Sequence, residues 1–155
     1  MCGIAGYFGT QKLDRENITN CLDLMRHRGP DYAAFRQWTN ENGNNIYMLH
    51  SCLSIIDLDS RSNQPFNINK KWIVQNGELY NYLERREELI GQGHLFKTNS
   101  DTEVLLKAID HYGWDVLDRC EGMWAFAVYN ESDGSLWLCR DRFGEKPLYL
   151  YRTDN

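Results

Sequence analysis

The chain has 155 residues, the size of one domain and enough to bury about two-thirds of the surface its unfolded form exposes. Its hydrophobic content of 42% and charged content of 25% are ordinary for a globular protein. A net charge of −5, with no basic stretch longer than Arg26-His27-Arg28, excludes a phosphate-tracking nucleic-acid face. 

The apolar opening through Gly9 lacks a basic leader and is too short for a secretory signal, and no segment reads as a membrane span. The five cysteines, Cys2, Cys21, Cys52, Cys120 and Cys139, form no C-x-x-C pair, and the four histidines are scattered along the chain. That pattern argues against a metal site, and an odd count fits reduced thiols in the cytoplasm. Cys21, Cys120 and Cys139 sit among apolar residues and read as core fillers.

Gly3–Phe8 reads as a buried strand. Asp14 is placed to cap a helix running to about His27, with Ile18, Leu22 and Met25 on one face and Gly29-Pro30-Asp31 ending it. Ala33–Trp38 and Ile46–Ile56 read as strands around a turn at Glu41-Asn42-Gly43-Asn44. A polar loop, Asp57–Asn63, leads to Pro65, and Trp72–Gln75 is a short strand running into Asn76-Gly77.

A helix is predicted over about Asn81–Ile90, with Tyr82, Leu83, Arg86, Leu89 and Ile90 on one side and Gly91 and Gly93 stopping it. Ser100-Asp101-Thr102-Glu103 is a capping-box pattern opening another helix, whose buried stripe is Val104, Leu105, Ala108, Ile109 and Tyr112 and whose stop is Gly113. Met123–Tyr129, Leu136–Arg140 and Pro147–Tyr151 read as strands, the first two joined by a turn at Asp133-Gly134. Strands paired by short turns, with helices grouped between them, predict antiparallel sheets covered by helices.

Cys2 carries the first chemical signal. A small residue after Met1 lets the methionine be trimmed, leaving a thiol and a free α-amino group on one residue. That amine titrates at about 7.7–8.0, where a thiol needs a base. A terminal cysteine therefore supplies both a nucleophile and the group that activates it. The plainer reading is a small apolar residue opening a strand. Asn76 offers a side-chain NH₂ and Gly77 a backbone N–H, the donors a tetrahedral oxyanion needs, although Asn-Gly is also a strong turn signal.

Eight motifs in order resemble the glutaminase domain of glutamine-hydrolysing asparagine synthetases, which are class II, N-terminal-nucleophile amidotransferases. They are Met1-Cys2-Gly3-Ile4, Arg26-His27-Arg28-Gly29-Pro30-Asp31, Leu53-Ser54-Ile55-Ile56-Asp57, Gln64-Pro65, Asn76-Gly77-Glu78-Leu79-Tyr80-Asn81, Ser100-Asp101-Thr102-Glu103, Gly122–Ala127 and Arg140–Tyr149. Together they span the chain from Met1 to about Tyr151. The resemblance implies an α+β fold, a four-layer α/β/β/α sandwich with two stacked antiparallel sheets, truncated at its C-terminus. It implies glutamine hydrolysis to glutamate and ammonia, with catalytic residues Cys2, Asn76 and Gly77. 

By the same resemblance, Glu78 and Asp101 bind the ammonium of glutamine, and Cys52, Leu53, Ser54, Ile55 and Ile56 fall where the rest of the substrate sits. Carboxylates suit an ammonium because charge-assisted hydrogen bonds are roughly twice as strong as neutral ones. The plainer alternatives are a helix N-terminal role for Asp101 and a solvated position for Glu78.

One position departs from the family. Its arginine before Leu-Ser-Ile, which grips the glutamine carboxylate, is Cys52 here. A hydrogen bond to a charged group is worth about 1.5–3 kcal/mol, so affinity is expected to fall roughly ten- to a hundredfold. Three outcomes stay open: another cation such as Arg28 reaches the carboxylate, the site takes another amide, or the glutaminase is vestigial. Nothing in the sequence marks a base for Cys52 as a second nucleophile.

No Ser-Gly-Gly-x-Asp or G-x-x-x-x-G-K-[ST] loop occurs, so no cofactor is expected in this chain; ATP and magnesium belong to the synthetase domain that the family carries further on. The 155 residues read as a single, incomplete glutaminase domain: a fragment, an excised domain or one subunit of a split enzyme. Its partners would be glutamine, a synthetase domain receiving ammonia for aspartate, and a second copy covering an unpaired sheet edge. The competing readings are an amidotransferase for another acceptor such as a sugar acid, a silent docking module, and an amidase with no synthetase.

Overall fold

The structure is a computed structural model that describes residues 2–153. The expectations about Met1 and about the chain end at Asp154-Asn155 lie outside those residues.

Alternation of side chains builds the first sheet. Strands β1 (Gly3–Gly9), β2 (Tyr32–Thr39) and β3 (Asn45–Cys52) pair antiparallel in the order β1-β3-β2. Along β3, Tyr47 and Leu49 point to helix α1 (Arg15–Met25) and pack on Ile18, Leu22 and Met25. Ile46 and Met48 point the opposite way, against Val74 and Tyr129 of the second sheet. A period of two thus gives one strand two apolar faces.

The second sheet has the order β4-β5-β6-β7: Phe66–Ile68, Lys71–Leu79, Gly122–Asn130 and Ser135–Arg140, all antiparallel. Its outer face packs on helix α3 (Asp101–Tyr112), with α2 (Tyr82–Gly91) alongside. Leu79, Leu89, Leu105 and Phe126 are fully buried there, and truncating one such leucine to alanine costs about 2–5 kcal/mol. The layers run α1, first sheet, second sheet, then α2 and α3, the expected α/β/β/α sandwich.

Several expectations change. β1 is an edge strand with alternating exposure, and Gly3 is its buried position. Asp14 occupies the N-cap of α1, but its side chain makes no capping bond. β3 stops at Cys52, releasing Leu53–Ile56 into a loop. β5 runs through Asn76-Gly77, so that pair is not a turn. Leu83 and Ile90 of α2 are exposed, leaving Leu89 as its buried anchor. Residues 147–151 form no strand; they have no pairing neighbour, and Tyr149 and Tyr151 are exposed. Strand β4 and the 3-10 turn Trp114–Arg119 have too little periodicity to read from sequence.

The capping box is half present. Ser100 Oγ accepts from Thr102 N at 3.1 Å. The Glu103 carboxylate, which would close the box on Ser100, instead accepts from Lys97 N and from the N–H and hydroxyl of Thr98. It pins the loop entering α3, and with it the position of Asp101.

Candidate active site

The ends of β1, β3 and β5 and the start of α3 meet around an open cleft. Cys2, Cys52, Leu53, Ser54, Ile55, Ile56, Asn76, Gly77, Glu78 and Asp101 all line it, so the catalytic and substrate-binding candidates converge on one place. They come from four separate stretches of chain.

The register explains the first group. Gly3 pairs with Ser51, and one further step sets Cys2 opposite Cys52. Cys2 Sγ accepts from Leu53 N at 3.4 Å, while Cys52 Sγ lies 3.5 Å from Ser54 Oγ. The Cys2 thiol is pushed up to about 12, first by the Cys52 thiol beside it and then by burial, with His50 and Leu53 N pulling the other way. Cys52 is drawn down to about 6, chiefly because Cys2 donates to it, burial opposing and the Ser54 hydroxyl assisting. The neighbour that draws the Cys52 pKa down is thus Cys2, a partner that a separation of fifty residues conceals in the sequence.

On β5, Asn76 and Glu78 share the face that Val74 presents to the first sheet. Asn76 is buried, and its Oδ1 has no hydrogen-bond partner among the described residues. Gly77 faces the β6 backbone so closely that an added Cβ would stand 2.3 Å from Met123 O and 2.6 Å from Trp124 Cα. Only glycine fits there. Asp101 is buried; its Oδ2 accepts from Leu79 N at 2.9 Å and from Gln75 Nε2 at 3.5 Å. Burial raises its pKa, and the charge of Glu78 adds to that.

A supporting frame surrounds these residues, and sequence reasoning did not assign it. Gly29 presses on the end of β3, where a Cβ would come within 2.3 Å of Ser51 O. Asp31 Oδ2 then accepts from Ser54 N at 2.9 Å, and Asp31 N donates to Cys52 O at 3.0 Å. Arg28 Nε donates to Cys2 O at 3.1 Å, so Arg28 braces the cleft from behind and is not among the residues lining it. The cation in the lining is Lys146, buried against the Asp141 turn. Gln64 ties β5 to α3, accepting from Gln75 N at 2.6 Å and donating to Thr102 Oγ1 at 3.1 Å. His50 is fully buried, with Nε2 3.2 Å from Gln75 O and Nδ1 unpartnered among the described residues. The motifs containing Arg28, Asp31, Gln64 and Lys146 were visible, but nothing in their spacing says what each side chain holds.

The described residues contain no group of three His, Cys, Asp or Glu side chains arranged to hold a metal, and no helix long and apolar enough to cross a membrane. The arrangement is a half-buried thiol sharing one cleft with a buried amide, a glycine in a strand and two carboxylates.

Comparison with known proteins agrees with this chemistry. A family profile described as a glutamine amidotransferase domain matches residues 1–155. Glutamine-hydrolysing asparagine synthetase 1 of Bacillus subtilis is 40% identical over 162 residues, covering 100% of this chain and 24% of the relative. A putative glutamine-hydrolysing asparagine synthetase 2 of Methanocaldococcus jannaschii is 34% identical, covering 100% of this chain and 33% of the relative. Amidase chry2 of Gibberella zeae is 36% identical over 163 residues, covering 96% of this chain and 24% of the relative. The chain spans about a quarter to a third of the length of these relatives. Glutamine phosphoribosylpyrophosphate amidotransferase from Bacillus subtilis superposes with a TM-score of 0.64 at 20% identity, over 83% of this chain and 35% of that chain, and so shares its fold.

Proposed function

This chain belongs to the glutamine amidotransferase domain family, and on that premise we propose that it hydrolyses glutamine at Cys2. The Cys2 sulfur attacks the side-chain amide carbon, and the oxyanion that forms is held by the Asn76 NH₂ and the Gly77 N–H. Collapse of that intermediate expels ammonia and leaves a thioester, which water opens to glutamate. Asp101 and Glu78 take the substrate ammonium. The single observation that carries the reading is the cleft itself, which gathers Cys2, Asn76, Gly77, Glu78 and Asp101 from distant parts of the chain. Deprotonation of the thiol by its own α-amine further requires that Met1 be removed.

The ammonia would pass to a synthetase domain that activates a carboxylate with ATP and magnesium, aspartate being the acceptor suggested by the names of the relatives. The domain is then one part of a longer cytoplasmic enzyme, and its strand edges invite a second copy when it stands alone. One observation favours a weaker variant of this reading. Cys52 stands where the family places a carboxylate-binding arginine, so glutamine is held with a high KM; the cation in the cleft lining is Lys146.

The test is exposure to the glutamine analogue 6-diazo-5-oxo-norleucine followed by mass spectrometry. The expected product is a single adduct on Cys2 of a chain lacking Met1. An unmodified Cys2 would overturn the glutaminase reading, and an adduct on a chain that keeps Met1 would exclude the amine as base.

A further inference from the structure

The second sulfur in the cleft, Cys52, is not a reacting group in the proposed glutamine hydrolysis. We propose that Cys2 and Cys52 form a reversible disulfide when the cleft meets a hydroperoxide, making the pair a site of oxidative modification. The geometry comes from the strands. Extending the Gly3–Ser51 pairing by one residue sets Cys2 directly across from Cys52. Residues so opposed carry their Cα atoms about 4.5–5.5 Å apart, and bridged cysteines have Cα separations of about 4.4–6.8 Å. A bridge therefore needs little backbone movement.

Two further observations agree. Both sulfurs are half-buried on the wall of the same open cleft, so a small oxidant reaches them. Each is held by a neighbour on the loop that follows β3: Leu53 N donates to Cys2 Sγ at 3.4 Å, and Ser54 Oγ lies 3.5 Å from Cys52 Sγ. A solvent-accessible low-pKa thiol beside a second thiol is the arrangement that peroxides oxidise selectively. The donating Cys2 thiol draws the Cys52 pKa down, which makes Cys52 the sulfur of the pair that attacks the oxidant.

The chemistry closes with the peroxide as oxidant. The Cys52 thiolate attacks one peroxide oxygen, the O–O bond breaks, and the departing hydroxide or alkoxide takes a proton from water. The sulfur is now a sulfenic acid. Cys2 attacks that sulfur as its thiol proton leaves; the S–S bond forms, the S–O bond breaks, and the oxygen departs as water. Two thiols and one hydroperoxide give a disulfide, an alcohol or water, and a second water. A dithiol reductant reverses the step by exchange. The consequence, loss of the nucleophile while the bond lasts, rests on the glutaminase reading above; the bond itself does not.

The protein is treated with hydrogen peroxide, its remaining thiols are alkylated, and intact mass and non-reducing peptide maps are read beside glutaminase activity. The expected result is a chain lighter by two hydrogens and a peptide joining Cys2 to Cys52. Dithiothreitol should remove both, and glutaminase activity should be lost and regained in step. In Cys52→Ala the same dose should carry Cys2 to the sulfinic or sulfonic acid, a change the reductant does not reverse. Oxygen accumulating on Cys2 of the wild-type chain, cross-links confined to another pair such as Cys120–Cys139, or unlinked thiols at a dose that oxidises the variant would each overturn the proposal. Because the mass and the map need no turnover, a protein that forms the bond without hydrolysing glutamine would refute the glutaminase reading alone.

Discussion

Asp101 Oδ2 accepts the Leu79 N–H at 2.9 Å, joining the first turn of α3 to the last residue of β5. This bond orients a buried carboxylate toward the cleft between Glu78 and Gln75. Only the charged form of Asp101 can pair with a substrate ammonium. Burial, and then the neighbouring Glu78 charge, raise its pKa above the ordinary value of about 3.9. KM for glutamine should therefore climb as pH falls through that raised value, sooner than an exposed carboxylate would predict. Asp101→Asn should raise KM at neutral pH and flatten the climb. An unchanged KM profile in the variant would assign Asp101 to the helix N-terminus alone.

Asn76 separates rate from stability. Its Oδ1 is buried with no partner among the described residues, and an unsatisfied buried polar atom costs about 1–3 kcal/mol. Asn76→Ala removes that atom, so the melting temperature should stay at or above that of the wild type. Loss of one oxyanion donor should nevertheless lower kcat by roughly 10²–10³-fold. A variant that melts early and turns over normally would make Asn76 a structural residue.

How much of this was legible beforehand follows from physics. Tyr47 and Leu49 alternating with Ile46 and Met48 announce a strand, and the stripe from Val104 to Ile109 announces a helix, because periodicity is written locally. Asn76-Gly77 reads as a turn by local propensity, and tertiary packing overrides it: the pair lies inside β5, its glycine pressed on β6. The site residues were legible as separate motifs. Their bracing by Asp31, Gln64 and Asp141 was not, since those bonds join residues that sequence distance keeps apart.

Cys52 tests the carboxylate position. It lines the cleft beside Cys2, where an arginine would bring a planar cation to the substrate. Cys52→Arg should lower KM for glutamine by roughly ten- to a hundredfold, the worth of about 1.5–3 kcal/mol in one charged hydrogen bond. Steady-state assays against glutamine concentration check this, and an unchanged KM would remove the carboxylate role from this position.

Asp141 anchors the turn that carries Lys146 into the cleft. Its Oδ1 accepts from Phe143 N and Glu145 N, and its Oδ2 from Trp124 N and Lys146 N, at 2.9–3.2 Å. Burial opposes its charge, but the four N–H groups prevail and hold the pKa below the ordinary value. A depressed folded pKa gives stability that is fully present above the unfolded value of about 3.9 and is lost as pH falls through the folded one. Asparagine is no substitute, because either orientation of its amide sets an NH₂ against two N–H donors. Asp141→Asn should therefore cost about 2–3 kcal/mol at neutral pH, by urea denaturation, with the gap to wild type narrowing only in acid below the ordinary carboxylate range. A gap that stays constant down to strongly acidic pH would place the effect in packing and not in the charge.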